Sequence, residues 1–208
     1  MEWFGMDPII MRYLGQAAPW ADVDQVLAAS LPALIFRPVQ PDDTDLIVEM
    51  HQRLSVATIY NRYHSPRVPT RQEIAQICQL DGSNGRALVA AVGGKKAAVV
   101  ALAYYMHIDP QTAEMALLVE DGYQRQGIGK RLMQQLRDIA VAQGVYFFEA
   151  FVLPTNKAML HLLQQNGQVV QNKLGYGARE IRLQLTAVPT WEVLVPPRLK
   201  PADCLPVW

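Results

Sequence analysis

The short turn at residues 124–129 restricts the fold of this chain more than any other feature of its sequence. It reads Gln124-Arg125-Gln126-Gly127-Ile128-Gly129, after a strand-like run that ends near Glu120 and before a helical pattern from about 127 to 143. The first N–H groups of a helix have no intrahelical acceptors, and glycine lacks the Cβ that would keep an anion from the main chain. The turn therefore predicts either a phosphate site or a close-packed connection between a strand and a helix.

Neither of two common nucleotide-binding loops fits this turn. A P-loop has four residues between its glycines followed by Gly-Lys-Ser/Thr, and the dinucleotide fingerprint has three glycines within a parallel βαβ unit. Here a single residue separates the two glycines, and the preceding strand follows a predicted hairpin. Phosphate binding has to be judged from the surrounding pattern.

The pattern before the turn predicts an α/β domain built on a mixed sheet. The segment "ALIFRPV" is strand-like, "QPDDTDLIVEMHQRLS" is helix-like, and a capping box of Thr70 and Glu73 begins another helix. Gly93-Gly94 separates the apolar runs "RALVAAV" and "KKAAVVALAYYMHI" and is a two-residue hairpin signal. The segment "TAEMALLVE" is the next strand.

The segments after the turn complete the order of elements. The strand-like "VYFFEAFV" precedes the helix-like "NKAMLHLLQQNG", and "QVVQNK" and "REIRLQLT" form a hairpin joined by "LGYGA". The predicted order is strand, helices, three antiparallel strands, helix, strand, helix and two strands. We expect an N-terminal appendage at 1–32, one domain at 33–186 and a proline-rich tail at 187–208.

The charge balance and the cysteine content limit the kinds of partner and metal site that the chain is expected to have. The 208 residues carry 19 basic and 19 acidic side chains, so we expect no broad basic face for nucleic acid or an anionic membrane. Cys78 and Cys204 are far apart and lack metal-ligand spacing with the histidines, which predicts no metal site and favours a cytoplasmic setting. We expect neither a signal peptide nor a spanning helix, because Arg12 interrupts "PIIMRYLG".

The turn and its neighbours together resemble a known family. Gln124–Gly129 is similar to the pyrophosphate-binding motif Q/R-x-x-G-x-G/A of the GNAT superfamily of acyl-CoA-dependent N-acetyltransferases. The segments "AEMALLVEDGYQRQGIGKRLMQQLRDIAVAQGV" and "FFEAFVLPTNKAMLHLLQQNG" resemble the family's fourth strand, loop and third helix, then its fifth strand and next helix. The resemblance covers about residues 34–185. Within it, "RPVQPDDTDLIVEMHQRLSVATIYNRY" is similar to the opening of the GNAT domain in bacterial protein lysine acetyltransferases.

The resemblance implies a fold and a cosubstrate. The fold would be a mixed, mostly antiparallel sheet of about six to seven strands, splayed between strands 4 and 5, with helices on both faces. The pyrophosphate of acetyl-CoA would lie on backbone amides of the turn, namely Gln124, Arg125, Gln126, Gly127, Ile128, Gly129 and Lys130. The pantetheine arm would pair with the main chain of Leu117, Leu118 and Val119, which is otherwise a core strand. Asn156 would contact the cofactor or cap the helix that follows it.

Glu114 is the candidate general base. An alkyl amine with a pKa of about 10.4 is protonated at neutral pH and attacks a thioester only after a base removes its proton. The resembling lysine acetyltransferases place a base glutamate at this position, on the strand before the turn. Strand alternation puts Glu114 on one face with Ala116 and Leu118, where desolvation would raise its pKa. Without the resemblance, an exposed glutamate at a strand end is the simpler interpretation.

One position departs from the family pattern. Many relatives have a tyrosine, the usual general acid, seven residues after the asparagine that begins the helix, but that position is Leu163 here. Neither Tyr123 nor Tyr176 is assigned in its place, because a coenzyme A thiolate can leave without an acid on the enzyme. The segment Arg62-Tyr63-His64 is a candidate for acceptor contacts or a solvated loop.

The predicted function is transfer of an acetyl group from acetyl-CoA to a primary amine, preferably a protein lysine, without a metal. Two alternatives stay open. One is acetylation of a small amine such as a polyamine, an amino acid or a drug, and the other is a non-catalytic acyl-CoA-binding regulatory module. The sequence also leaves open whether the protein forms a homodimer.

Overall fold

A seven-stranded mixed sheet organises the part of the chain that the computed structural model describes, residues 34–93 and 98–185. Its strands are β1 (Leu34–Pro38), β2 (Gly85–Val92), β3 (Ala98–His107), β4 (Thr112–Val119), β5 (Phe147–Val152), β6 (Gln168–Gly175) and β7 (Ala178–Gln184). The helices are α1 (Thr44–Gln52), α2 (Val56–Tyr63), α3 (Arg71–Cys78), α4 (Ile128–Ala142) and α5 (Lys157–Asn166), with 3₁₀ turns at Pro41–Asp43 and Asp121–Tyr123. The strand order is β1-β2-β3-β4-β5-β7-β6, and every pair is antiparallel except β4 with β5.

This arrangement confirms the predicted fold class and the predicted order of elements. Strands β2 and β3 form the expected antiparallel pair, with a bulge between Ala90 and Ala91. The predicted appendage at 1–32, the tail at 187–208 and the second residue of the Gly93-Gly94 signal lie outside the described residues.

Side-chain caps fix where the helices of the first half begin. Ser55 Oγ accepts a hydrogen bond from the N–H of Thr58 at 3.2 Å, and Thr70 and Glu73 make both bonds of the predicted capping box. Helix α2 ends at Tyr63 because His64 takes a left-handed φ of 54°. The helix therefore ends before the prolines that follow.

Strand alternation divides the core into two layers, one on each face of the sheet. On one face, β4 and β5 pack against α4 and α5, with Met115, Phe148, Leu132, Leu136 and Leu163 buried. On the other face, β3 and β4 pack against α1 to α3, with Leu102, Leu118, Ile47, Met50 and Ile74 buried. Each fully buried large aliphatic side chain contributes about 1.5–3 kcal/mol relative to exposure, so the central strands are held from both sides.

The parallel pairing between β4 and β5 is short. It joins Thr112–Glu114 to Phe147–Glu149, three residues on each strand. Beyond Glu114, β4 stays paired with β3 and β5 stays paired with β7. The two strands therefore splay apart, as the resemblance implied, and one edge of β4 is left open.

Candidate active site

The turn between β4 and α4 contains two residues in left-handed conformations. Arg125 has a φ of 60° and Gly127 a φ of 80°. Glycine adopts this region at little cost, and a Cβ built at Gly127 would meet no atom within 4 Å. The helical ladder begins with the bond from Arg131 N–H to Gly127 C=O at 3.0 Å. The amides of residues 128–130 precede that ladder, so they form an anion-accepting helix start.

A groove of about 350 Å³ opens beside this turn. Most of the predicted cofactor residues line it, namely Leu117, Leu118, Val119, Gln124, Arg125, Gly127, Gly129, Lys130 and Asn156. Of the other two, Ile128 is buried in the core, and Gln126 donates from Nε2 to the carbonyl of Gly122 at 2.9 Å. The structure thus brings nine of the eleven predicted cofactor residues, from β4, the turn and α5, around one groove, while Glu114 lies outside the residues that line it.

Alternate residues of β4 present their main chain to the groove. Glu120 N–H donates to Val100 C=O at 2.8 Å. Because the direction of the main-chain groups alternates along a strand, Leu118, two residues before Glu120, also directs its N–H and C=O groups to β3. Leu117 and Val119 direct theirs to the open edge. The carbonyl of Val119 accepts from Gln124 Nε2 at 3.0 Å. An extended ligand can pair with this edge as a strand would.

Glu114 lies at the apex of the splay, as the last residue of β4 that pairs with β5. It shares a sheet face with Ala116 and Leu118, which are buried, while its own side chain reaches solvent. Desolvation by the surrounding protein raises the pKa of its carboxyl. The positive charge of Arg62 opposes this shift, and the negative charge of Glu149 adds to it. The result is a carboxylate that reaches solvent and whose pKa lies above that of an ordinary glutamate.

Arg62 is the residue of the predicted acceptor segment that lines the groove. Its Nη2 donates to the Tyr104 hydroxyl at 2.5 Å, and its guanidinium lies 4.9 Å from the centre of the Tyr63 ring. The Tyr63 hydroxyl bonds to His51 Nε2 at 2.6 Å, and burial raises the pKa of Tyr63 to about 12. Neither Tyr63 nor His64 is on the groove wall, so Arg62 alone of the three is placed for an acceptor contact.

The sequence did not indicate a further contribution from α2. Thr58 and Asn61 also line the groove. Thr58 Oγ1 donates to Asp121 Oδ1 at 2.7 Å and accepts from Gln124 Nε2 at 3.1 Å. Ser55 marks the start of this helix in the sequence, but no local signal shows that the start packs on the turn after β4.

Helix α5 contributes a cap and an apolar wall. Asn156 is the N-cap, because its Oδ1 accepts from Met159 N–H at 3.1 Å, and it also lines the groove. Leu163, at the position of the family's tyrosine, is fully buried in the core. Tyr123 lies on the groove wall, whereas Tyr176 is fully exposed at the turn between β6 and β7.

The described residues contain no cluster suited to a metal. Within 34–93 and 98–185, no three or more His, Cys, Asp or Glu side chains are placed to hold an ion. No helix in that part of the chain is long and apolar enough to cross a bilayer. Cys78 is buried, and desolvation raises the pKa of its thiol, while Cys204 lies outside the described residues.

The part of the chain that contains the turn and the splayed strands matches a known family. The sequence profile of the acetyltransferase (GNAT) family matches residues 53–167, from the end of α1 through α5. The chain belongs to the GNAT acetyltransferase family. Acetyltransferase Pat of Mycolicibacterium smegmatis is 32% identical to it over 147 residues, which are 70% of this chain. The chain spans 44% of that relative's own length.

Solved GNAT structures share the fold. The GNAT domain of S. lividans PAT superposes with a TM-score of 0.63 at 24% identity, covering 72% of this chain and 89% of that one. The structure of yncA from Salmonella typhimurium with its cofactor acetyl-CoA gives a TM-score of 0.61 at 19% identity, covering 76% and 98%. At these identities the comparison establishes the GNAT fold alone.

Proposed function

We propose that this GNAT protein transfers an acetyl group from acetyl-CoA to a primary amine, with a protein lysine as the preferred acceptor and Glu114 as the general base. The observation that carries the proposal is the groove that joins the anion-accepting turn to the open edge of β4, with Glu114 at the apex of the splay. The lysine preference rests on the similarity to Acetyltransferase Pat and on the resemblance of residues 37–63 to bacterial protein lysine acetyltransferases.

The residues around the groove fit acetyl-CoA. The open space at Gly127 and the amides of residues 128–130 suit a pyrophosphate, and Arg125 and Lys130 supply positive charge on the same wall. The open edge of β4 at Leu117 and Val119 suits the amides of the pantetheine arm.

Acetyl-CoA supplies a thioester whose carbonyl carbon accepts the amine nitrogen as the carbon–sulfur bond breaks and coenzyme A leaves as a thiolate. Glu114 takes the proton that the amine loses, directly or through one water. The raised pKa of Glu114 makes this transfer more favourable than it would be to an ordinary carboxylate. A coenzyme A thiolate can leave without a general acid on the protein. This agrees with the buried, apolar Leu163 at the position where many relatives have a tyrosine.

Release of the coenzyme A thiol tests the proposal directly. The purified protein is incubated with acetyl-CoA and with panels of lysine peptides, polyamines and amino acids, and Glu114→Gln is compared with wild type. Loss of the base should lower kcat by about 10²- to 10⁴-fold with unchanged affinity for acetyl-CoA. The wild-type rate should fall as pH drops through the raised pKa of Glu114, and the variant should lack that limb.

Each other outcome selects a different conclusion. Acetyl-CoA binding without thiol release for any acceptor overturns the proposed enzyme activity and supports a regulatory acyl-CoA-binding module. Release with polyamines or amino acids alone replaces the protein lysine with a small amine. Equal rates for wild type and Glu114→Gln, at saturating acceptor and across pH, remove Glu114 as the base.

A further inference from the structure

A second carboxylate stands beside the proposed base at the apex of the splay. Glu149 of β5 is the register partner of Glu114 in the parallel pair. Register partners on neighbouring strands project from the same face of a sheet, with the strands about 4.8 Å apart. Like charges placed directly opposite each other repel, so this pair of carboxylates lowers the stability of the folded protein.

Neighbouring side chains hold Glu149 in place. Arg182 donates from Nη1 to Glu149 Oε1 at 3.1 Å and from Nη2 to Thr112 Oγ1 at 3.0 Å. Its guanidinium also lies 4.4 Å from the centre of the Phe147 ring. The Glu149 side chain is 21% exposed, and the ion pair engages one carboxylate oxygen, Oε1. The carboxylate is therefore oriented by the protein and still reaches solvent.

The charged and titratable groups around the two carboxylates come from three elements. Arg62 approaches Glu114 from α2, and Tyr104, bonded to Arg62, belongs to β3. Arg182 of β7 is paired with Glu149 of β5. Arg62 thus interacts with Glu114, whereas Arg182 is paired with Glu149. The two carboxylates are neighbours across the β4–β5 pair.

We propose that Glu149 is a specificity-determining residue, whose carboxylate binds the ammonium of the acceptor beside Glu114 before the proton is removed. A cation at this place pairs with both carboxylates and cancels their repulsion. The site then prefers an amine that arrives charged over one that arrives neutral. This inference rests on the proposed function and names its acceptor class as alkyl ammonium groups.

The test compares two acceptors that differ in charge. One is a lysine peptide, and the other is the same peptide with 4-aminophenylalanine in place of lysine, whose arylamine is uncharged at neutral pH. Glu149→Gln should raise KM for the lysine peptide about five- to tenfold, because a partly screened charged contact is lost. Its kcat should change by less than about twofold, and KM for the arylamine peptide should stay constant.

Three further variants separate a local effect from a general one. Glu180→Gln removes a carboxylate from the same face of β7, where Glu180 pairs with Phe151 and bonds to Gln171, and it should leave both KM values unchanged. The acid limb of the rate should move to lower pH in Glu149→Gln, because that charge raises the pKa of Glu114, and to higher pH in Arg62→Gln. Glu149→Asp keeps the charge and should recover most of the lysine affinity.

The possible failures are distinguishable. Wild-type turnover with an unchanged lysine KM in Glu149→Gln overturns this inference and leaves the proposed function standing. An equal rise of KM for both peptides also overturns it, because it indicates a structural role. If Glu149→Gln does not fold, as judged by loss of acetyl-CoA binding, Glu149→Asp is used in its place. An equal rise of KM for the lysine peptide and the arylamine peptide in Glu149→Asp counts against the inference. Absence of turnover in the wild type with every amine overturns the proposed function itself.

Discussion

Gly127 combines two properties at one position of the turn. Its φ of 80° lies in the left-handed region, and the position of its missing Cβ faces open space. An L-residue there is strained, and any side chain added there projects toward the site proposed for the pyrophosphate. The loss of folding stability and the loss of ligand affinity can therefore be measured separately at the same residue.

Gly127→Ala and Gly127→Glu should destabilise the fold equally and differ in binding. Each should lower the free energy of unfolding by about 1–2 kcal/mol, because each places a Cβ in the left-handed region. Gly127→Glu should weaken acetyl-CoA binding at least about 100-fold, since it adds a negative charge at an anion site, whereas Gly127→Ala should weaken it far less. Urea denaturation and calorimetric titration check the two effects. Equal affinity in both variants would count against the assignment of the turn to the pyrophosphate.

At the scale of elements, the start of α2 and the 3₁₀ turn after β4 are joined by one carboxylate. Asp121 Oδ2 accepts from the N–H of Ser55 at 2.9 Å, and its Oδ1 accepts from Ser55 Oγ at 2.6 Å and Thr58 Oγ1 at 2.7 Å. Thr58 in turn accepts from Gln124 in the turn before α4. This chain of bonds holds α2 against the turn, and both elements line the groove.

Asp121→Asn should loosen that connection in a pH-dependent way. Burial raises the pKa of Asp121, but the hydrogen bonds from Ser55 and Thr58 outweigh it, so the folded pKa is lowered. A carboxyl with a depressed folded pKa contributes stability above its unfolded pKa and loses it as pH falls through the folded value. The variant should therefore be less stable by about 1 kcal/mol at pH 7, allowing for solvent screening, with a smaller difference in acid. Urea denaturation of both proteins at pH 7 and in the carboxyl range checks this, and a pH-independent difference would contradict it.

The elements that the sequence predicted were those with local signals. The capping box at Thr70 and Glu73 and the apolar periodicity of α4 each lie within one segment, so both were predictable. The turn between β6 and β7 was less well predicted. It is a two-residue turn in which Tyr176 and Gly177 both have positive φ, 49° and 81°, and tyrosine rarely takes that conformation.

At the scale of the whole molecule, the candidate site depends on contacts that no local signal contains. Glu114 and Gly127 lie within one continuous stretch of sequence, which is why the sequence could nominate Glu114 as a candidate base and predict the turn. Glu149 meets Glu114 only through the register of β4 with β5, and Arg62 meets it only because α2 packs on that face of the sheet. Strand register and helix packing are set by the complete core, so neither Glu149 nor the place of Arg62 beside Glu114 could be predicted from sequence.

The described core predicts that the domain at 33–186 is sufficient for folding and cofactor binding. Both faces of the sheet are covered by helices from within residues 34–185, and the groove is lined from the same range. A fragment of residues 33–186 should therefore unfold cooperatively with a Tm within about 4 °C of the full chain, which corresponds to ~1 kcal/mol for a domain of this size. Its Kd for acetyl-CoA should agree with that of the full chain within about twofold, a difference below ~0.5 kcal/mol. Calorimetry on both proteins measures these quantities. Loss of cooperative unfolding in the fragment would show that residues outside 33–186 belong to the core, and unchanged stability with weaker binding would place them at the cofactor site instead.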